Sequence, residues 1–182
     1  WGVDKAKNDE VYAKERRIYE LSQIEGMPPC ISYQIPFRHL CNLLQINAGD
    51  IAAVMKLFPD MQEAQRERFE ARAKCAWYWI TECAPEDFRF ALRIDGGKAE
   101  LSAAETAALC KIRDELLPKM DELDEKAFST ALYDTAHACE LEPKALFTAV
   151  YQALIGKDQG PRLAGFMKII GKEQLAQLLS FY

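Results

Sequence analysis

The chain has 182 residues, 49% of them hydrophobic and 28% charged, and a net charge of −5. That is enough apolar material for one or two packed units, which excludes a disordered tail. No apolar run approaches the roughly 18 residues of a membrane-spanning helix, so no membrane role is expected.

The cysteines Cys30, Cys41, Cys75, Cys83, Cys110 and Cys139 are widely and irregularly spaced, with no Cys-x-x-Cys pair. They read as reduced, mostly buried thiols of a cytoplasmic protein, and no metal site is expected. The start, Trp1-Gly2-Val3-Asp4-Lys5, lacks an initiator Met and a signal peptide's apolar region, so the chain reads as a piece cut from a longer one. Charge is unevenly spread: residues 143–182 hold five basic and two acidic side chains, whereas residues 100–142 hold eleven acidic and four basic. A Debye length of about 8 Å at physiological salt lets such regions present separate faces to a polyanion.

In chain order, residues 4–23 have the period of an amphipathic helix, with Val11, Ile18 and Leu21 on one side. Gly26-Met27-Pro28-Pro29 ends it. Pro36 opens a second helix, Phe37 to Ile46, with Phe37, Leu40, Cys41 and Leu44 facing inward. Its other face carries Arg38, Asn42 and Gln45, whose amide and guanidinium groups suit RNA and equally suit a solvated surface. Gly49-Asp50 caps a third helix. Asp60-Met61-Gln62-Glu63 has the form of a capping box and opens a fourth helix reaching Cys83. Its core stripe is Phe69, Ala73, Ala76, Trp77 and Ile80; a second stripe, Arg68, Arg72, Cys75 and Trp79, puts cations beside an aromatic that could stack on a base.

Pro85, Asp95-Gly96-Gly97 and Ser102 mark a break between two halves, with 85–93 a short helix or an extended piece. Ser102 with Glu105 forms a capping box for a helix that bends or ends near Pro118, and Asp124 caps the next, lined by Phe128, Leu132, Ala136 and Cys139. Glu142-Pro143 starts a helix that stops at Gly156. The reading is all-α, with about nine or ten helices in two subdomains, 1–98 and 99–182.

The most specific stretch is Gly156-Lys157-Asp158-Gln159-Gly160-Pro161-Arg162-Leu163, running on to Gly171-Lys172-Glu173. Gly160-Pro161 is a turn dipeptide, and Pro161 is expected to open a helix anchored by Leu163, Phe166, Met167 and Ile170. Free N–H groups at such a helix start favour anions, with Lys157, Arg162 and Lys172 nearby. An ordinary helix-loop-helix corner has the same composition. No phosphate-binding glycine loop, Rossmann fingerprint or Gly-x-Ser-x-Gly nucleophile occurs, and His39 and His137 have no partner at useful spacing. A binding module therefore fits better than an enzyme active site.

Tyr33-Gln34-Ile35-Pro36-Phe37-Arg38-His39-Leu40, Ile18-Tyr19-Glu20-Leu21-Ser22 and the segment Gly156 to Glu173 together resemble the anticodon-binding region of the class I lysyl-tRNA synthetases. The resemblance covers nearly the whole chain, and the Gln-Ile-Pro-Phe-Arg-His-Leu string favours lysine over the related glutamyl enzymes. It implies a two-subdomain helical anticodon-binding cage of class I aminoacyl-tRNA synthetases. It also implies lysine tRNA as partner through its anticodon loop, not DNA, and an upstream Rossmann catalytic domain that uses ATP. No cofactor is expected in these residues, because neither the His-Ile-Gly-His nor the Lys-Met-Ser-Lys type of motif occurs in them.

On the same resemblance Gly160, Pro161 and Leu163 contact anticodon bases. Tyr151 stands where the glutamyl relatives carry an Arg, and an aromatic there offers base stacking instead of a charge. The expected RNA-binding set is Tyr151, Lys157, Gly160, Pro161, Arg162, Leu163 and Lys172, joined by Arg38, Gln45 and Trp79 from the first half. A glutamyl-type anticodon domain and a helical protein-interaction scaffold, the latter suited to the acidic faces, are the rival readings.

Overall fold

Short polar side chains set three of the helix starts. Asp50 Oδ1 accepts from the Ala53 N–H at 2.9 Å, Asp124 Oδ1 from that of Ala127 at 2.7 Å, and Ser102 Oγ from that of Glu105 at 3.3 Å. The Glu105 carboxylate returns a bond from the Ser102 N–H at 2.8 Å, completing the box read from sequence. Each cap satisfies an N–H that has no partner within its helix.

A computed structural model describes residues 9–22, 35–94, 96 and 99–182. Among them are nine α-helices and no strand: α1 Asp9–Ser22, α2 Phe37–Ile46, α3 Ile51–Lys56, α4 Glu63–Tyr78, α5 Ala103–Lys111, α6 Glu125–Ala138, α7 Pro143–Ile155, α8 Leu163–Ile170 and α9 Lys172–Leu179. The all-α reading holds. The Gly26–Pro29 turn, Tyr33, Gln34, Asp95 and Gly97 lie outside the described residues.

Two helices change pitch where they end. A π-helical turn, Trp79–Cys83, prolongs α4, and α5 runs through a π-helical turn, Ile112–Leu116, into a 3-10 turn at Leu117–Lys119. Pro118 cannot donate to an α-helical ladder, which fits the expected bend there.

Several local expectations are corrected. The box at α4 is shifted two residues, with Gln65 Oε1 accepting from the Gln62 N–H at 3.1 Å. Phe37 is half exposed rather than inward, with its ring edge-on to Trp79 at 5.2 Å. Gln45 and Asn42 are buried, not on a solvated face. Ile18 and Leu21 are exposed, and α1 buries no residue among those described. Among the described cysteines only Cys41 is buried, and burial pushes its thiol up to about 11; Cys75 and Cys83 are exposed.

The apolar side chains form two clusters. One joins α2, α3 and α4 around Leu40, Leu44, Val54, Phe69 and Ile80; the other joins α5 to α9 around Leu109, Phe128, Leu146, Leu154, Phe166 and Leu175. They interlock: Ile46, at the end of α2, belongs to the second cluster, and Ile169 of α8 packs against both. The extended segment after Pro85 crosses between them, with Phe88 on the first and Phe90 and Leu92 on the second. Its Arg93 N–H donates to the Leu154 carbonyl of α7 at 2.9 Å.

Gly156 ends α7 in the left-handed region, φ 69°, where a side chain is strained. Gly156→Ala is expected to cost about 1–2 kcal/mol, read as a lower urea midpoint with unchanged slope. The volume around this site is not the limit, since an added Cβ would meet only the Arg93 side chain, at 3.5 Å.

Candidate nucleic-acid interface

The loop between α7 and α8 is held from behind. Tyr151, on the last full turns of α7, is 8% exposed, and its hydroxyl donates to the Pro161 carbonyl at 2.5 Å. Burial raises this phenol to about 12, so it stays a donor throughout the working range. A Cβ on Gly160 would lie 3.0 Å from the Tyr151 ring and from Ile155 Cδ1. Gly160 is therefore small because the loop presses on its own support; its φ is not among the positive ones.

The front of the loop is also tied. Gln152 Nε2 donates to Asp158 Oδ1 at 2.6 Å, and Lys157 Nζ donates to the Glu86 carbonyl at 2.6 Å. The α8 helix begins at Leu163, not at Pro161, because the Pro161 carbonyl is spent on Tyr151 while Arg162 takes the capping position. Bonds on both sides make the loop preformed, so less ordering entropy is lost when a ligand binds.

Two hollows border it. A wide groove of about 1290 Å³ lies between the loop and the α6–α7 pair, with Tyr133, Lys144, Phe147, Tyr151 and Lys157 on its walls. Tyr133 and Phe147 meet edge-on there at 5.1 Å. A smaller hollow of about 150 Å³ lies between the loop and α2, lined by Arg38, Asn42, Phe88, Phe90, Lys157 and Gly160-Pro161 among others. The Arg38 guanidinium sits over the Phe88 ring at 5.8 Å, and Phe88 meets Trp79 edge-on at 5.0 Å.

Four of the residues expected from sequence thus share the small hollow: Arg38, Lys157, Gly160 and Pro161. Others sit differently. Trp79 is half-buried, with its ring edge-on to Phe37 and Phe88, and Leu163 is 4% exposed in the core. Gln45 is 3% exposed, and its Oε1 accepts from the Phe90 N–H at 2.7 Å, so it holds the crossing segment. Arg162 is exposed, 3.7 Å from Glu125, and Lys172 donates to the Pro118 carbonyl at 3.3 Å, bordering neither hollow.

Sequence reading missed Phe88, Lys144, Gln152 and Asp158. Gln152 and Asp158 are six residues apart across a helix end, a separation with no periodic signature, and Phe88 comes to Arg38 only through the tertiary crossing. Among the described residues no group of three His, Cys, Asp or Glu could hold a metal, and no helix is long and apolar enough to cross a membrane.

This helical scaffold, with a braced loop between two hollows, falls in a recognised domain class. The family model described as "Anticodon binding domain" matches residues 85–179, more than half of the chain, and the chain belongs to that family. It is 55% identical over 183 aligned residues to the lysine–tRNA ligase of Treponema pallidum (strain Nichols), covering 100% of this chain and 35% of that protein. It is 34% identical to the lysine–tRNA ligase of Borreliella burgdorferi, with the same coverage, and 28% identical to that of Thermococcus kodakarensis, covering 95% of this chain and 34% of the relative. The chain thus spans about a third of the length of these curated relatives.

Proposed function

We propose that the chain is the tRNA-reading part of a class I lysine–tRNA ligase and that it recognises the anticodon loop of lysine tRNA. The observation that carries this reading is the braced loop 156–163, lying inside the matched anticodon-binding region and bordered by Arg38, Lys157 and two aromatic-walled hollows. Proteins read single-stranded RNA loops by taking unstacked bases onto aromatic and apolar surfaces and bonding their edges. Phosphate contacts from Arg and Lys fix register without reading sequence.

The division of labour follows from the residues. Arg38 and Lys157 supply positive charge at the rim of the small hollow, Arg162 adds an exposed charge on the loop away from it, and Gly160-Pro161 offers a flat, rigid backbone to a base. Tyr151 works through the loop: with its ring buried against Gly160, it positions the carbonyl and ring of Pro161 rather than offering a stacking face. Lysine activation with ATP belongs to a catalytic domain joined to these residues in the same cytoplasmic polypeptide. No chemical step is assigned to the described residues.

The test is filter binding of the anticodon stem-loop of lysine tRNA against a copy with an altered anticodon and against the glutamate stem-loop. The expected result is a preference of at least about tenfold for lysine, or about 1.4 kcal/mol. Equal binding of all three would leave a general RNA surface, and a preference for glutamate would move the chain to the glutamyl-type relatives. Arg162→Ala is expected to lower the salt slope of log K by about one unit, the signature of one lost phosphate contact.

A further inference from the structure

We propose that the small hollow between α2 and the loop takes one splayed nucleobase of the anticodon loop and that Asn42 reads its hydrogen-bonding edge, which makes Asn42 a specificity-determining residue. This rests on the anticodon-reading assignment above. The side chain of Asn42 is 8% exposed and lines the hollow, yet its carboxamide makes no hydrogen bond among the described residues. Its polar atoms are not sealed off, so the amide keeps access to the hollow it lines and its bonding capacity is open to a ligand there. Of the neighbouring amides, Gln45 accepts through Oε1 from the Phe90 N–H and keeps a buried, unpartnered Nε2 but does not line the hollow, and Asn47 Nδ2 donates to the Leu43 carbonyl at 2.8 Å.

The rest of the hollow tells what would satisfy this amide. Phe88, Phe90, Ile155 and Pro161 give flat apolar walls, and a volume of about 150 Å³ equals that of about five liquid-water molecules, room for one flat heterocycle and not for a stretch of backbone. The buried polar group is neutral and Asp87 also lines the site, so a phosphate is not the occupant of its floor. Arg38 and Lys157 stand at its border, where the phosphate attached to an inserted base would lie. A carboxamide presents a donor and an acceptor side by side, the complement of a nucleobase edge that carries an adjacent acceptor and donor.

The experiment measures affinity for the lysine anticodon stem-loop with wild type, Asn42→Ala and Asn42→Asp, each loop nucleotide being replaced in turn by an abasic one. Asn42→Ala is expected to weaken binding roughly 5- to 100-fold, the range of one bidentate base contact. Its salt slope stays at the wild-type value, since no phosphate contact is lost. One abasic position costs wild type a similar factor and costs Asn42→Ala nothing further. Asn42→Asp keeps the shape but loses both donors, and it changes which bases are tolerated at that one position; a role in packing alone would not. Wild-type affinity in both variants, or losses independent of the abasic position, overturns the proposal. If wild type itself shows no preference for the lysine anticodon, the anticodon reading fails; if that preference stands while the Asn42 variants match wild type, only the base pocket fails.

Discussion

Tyr151→Ala lowers stability by about 3 kcal/mol and weakens binding of the lysine anticodon stem-loop by at least about tenfold, whereas Tyr151→Phe costs only about 1 kcal/mol. The larger figure is that for deleting a buried aromatic ring, and the smaller is one hydrogen bond, here the bond to the Pro161 carbonyl. Both are read from urea midpoints with filter binding alongside. A phenylalanine that kept full affinity and an alanine that kept it as well would remove the loop-bracing role.

The phenol adds a pH signature. Its native value, raised to about 12 by burial, lies above the unfolded value of about 10. Between these limits the native state holds a proton that the unfolded state has lost, so stability falls as pH rises from about 10 to about 12. Tyr151→Phe lacks that contribution, and the gap between the two proteins narrows across the window. A gap that stays constant in urea titrations at pH 9 and pH 11.5 would contradict the buried, donating phenol.

Phe166→Ala is expected to be the most damaging of the core truncations that bear on the loop, at about 3–5 kcal/mol. Phe166 is 1% exposed on α8 and meets Phe90 edge-on at 5.2 Å, so one ring joins the helix that follows the loop to the segment that crosses between the two apolar clusters. At about 2–4 °C per kcal/mol for a chain of this size, the melting temperature falls by about 10 °C. Binding falls with it even well below the transition, because Gly160 and Pro161 lie in the loop that leads directly into α8. Phe166→Leu, which keeps most of the volume, retains most of both.

Much of the helix order is local chemistry, and it was legible. Asp50, Ser102 and Asp124 are short acceptors placed before apolar periodic runs, and Pro143 with Gly156 brackets α7 in the usual asymmetric way. The apolar face of α8 also reads directly, since Leu163, Phe166, Met167 and Ile170 recur at helical spacing and all are buried. The prominence of the loop 156–163 came from glycine and proline placement, which acts through the φ of single residues.

What failed to be legible depends on partners distant in sequence. Polar spacing on α2 looked like a solvated face because nothing local announces that Phe90 would bring its N–H to Gln45, 45 residues away. Tyr151 looked like an open ring because Gly160 closes over it only when the loop folds back. Lys172 looked like part of the loop's charge, but the turn at Gly171 sends it to Pro118.

The sequence by itself determined the helical class, most helix starts and stops, the family resemblance and the loop as a focus, because caps, periodicity and turn residues act over at most a few positions. Only the tertiary structure decided which side chains meet at that loop. Arg38 and Asn42 of α2, Phe88 and Phe90 of the crossing segment, and Gly160-Pro161 come from three separate stretches. Their meeting is set by how the two apolar clusters interlock through Ile46 and Ile169, a matter of packed volumes that no local pattern encodes.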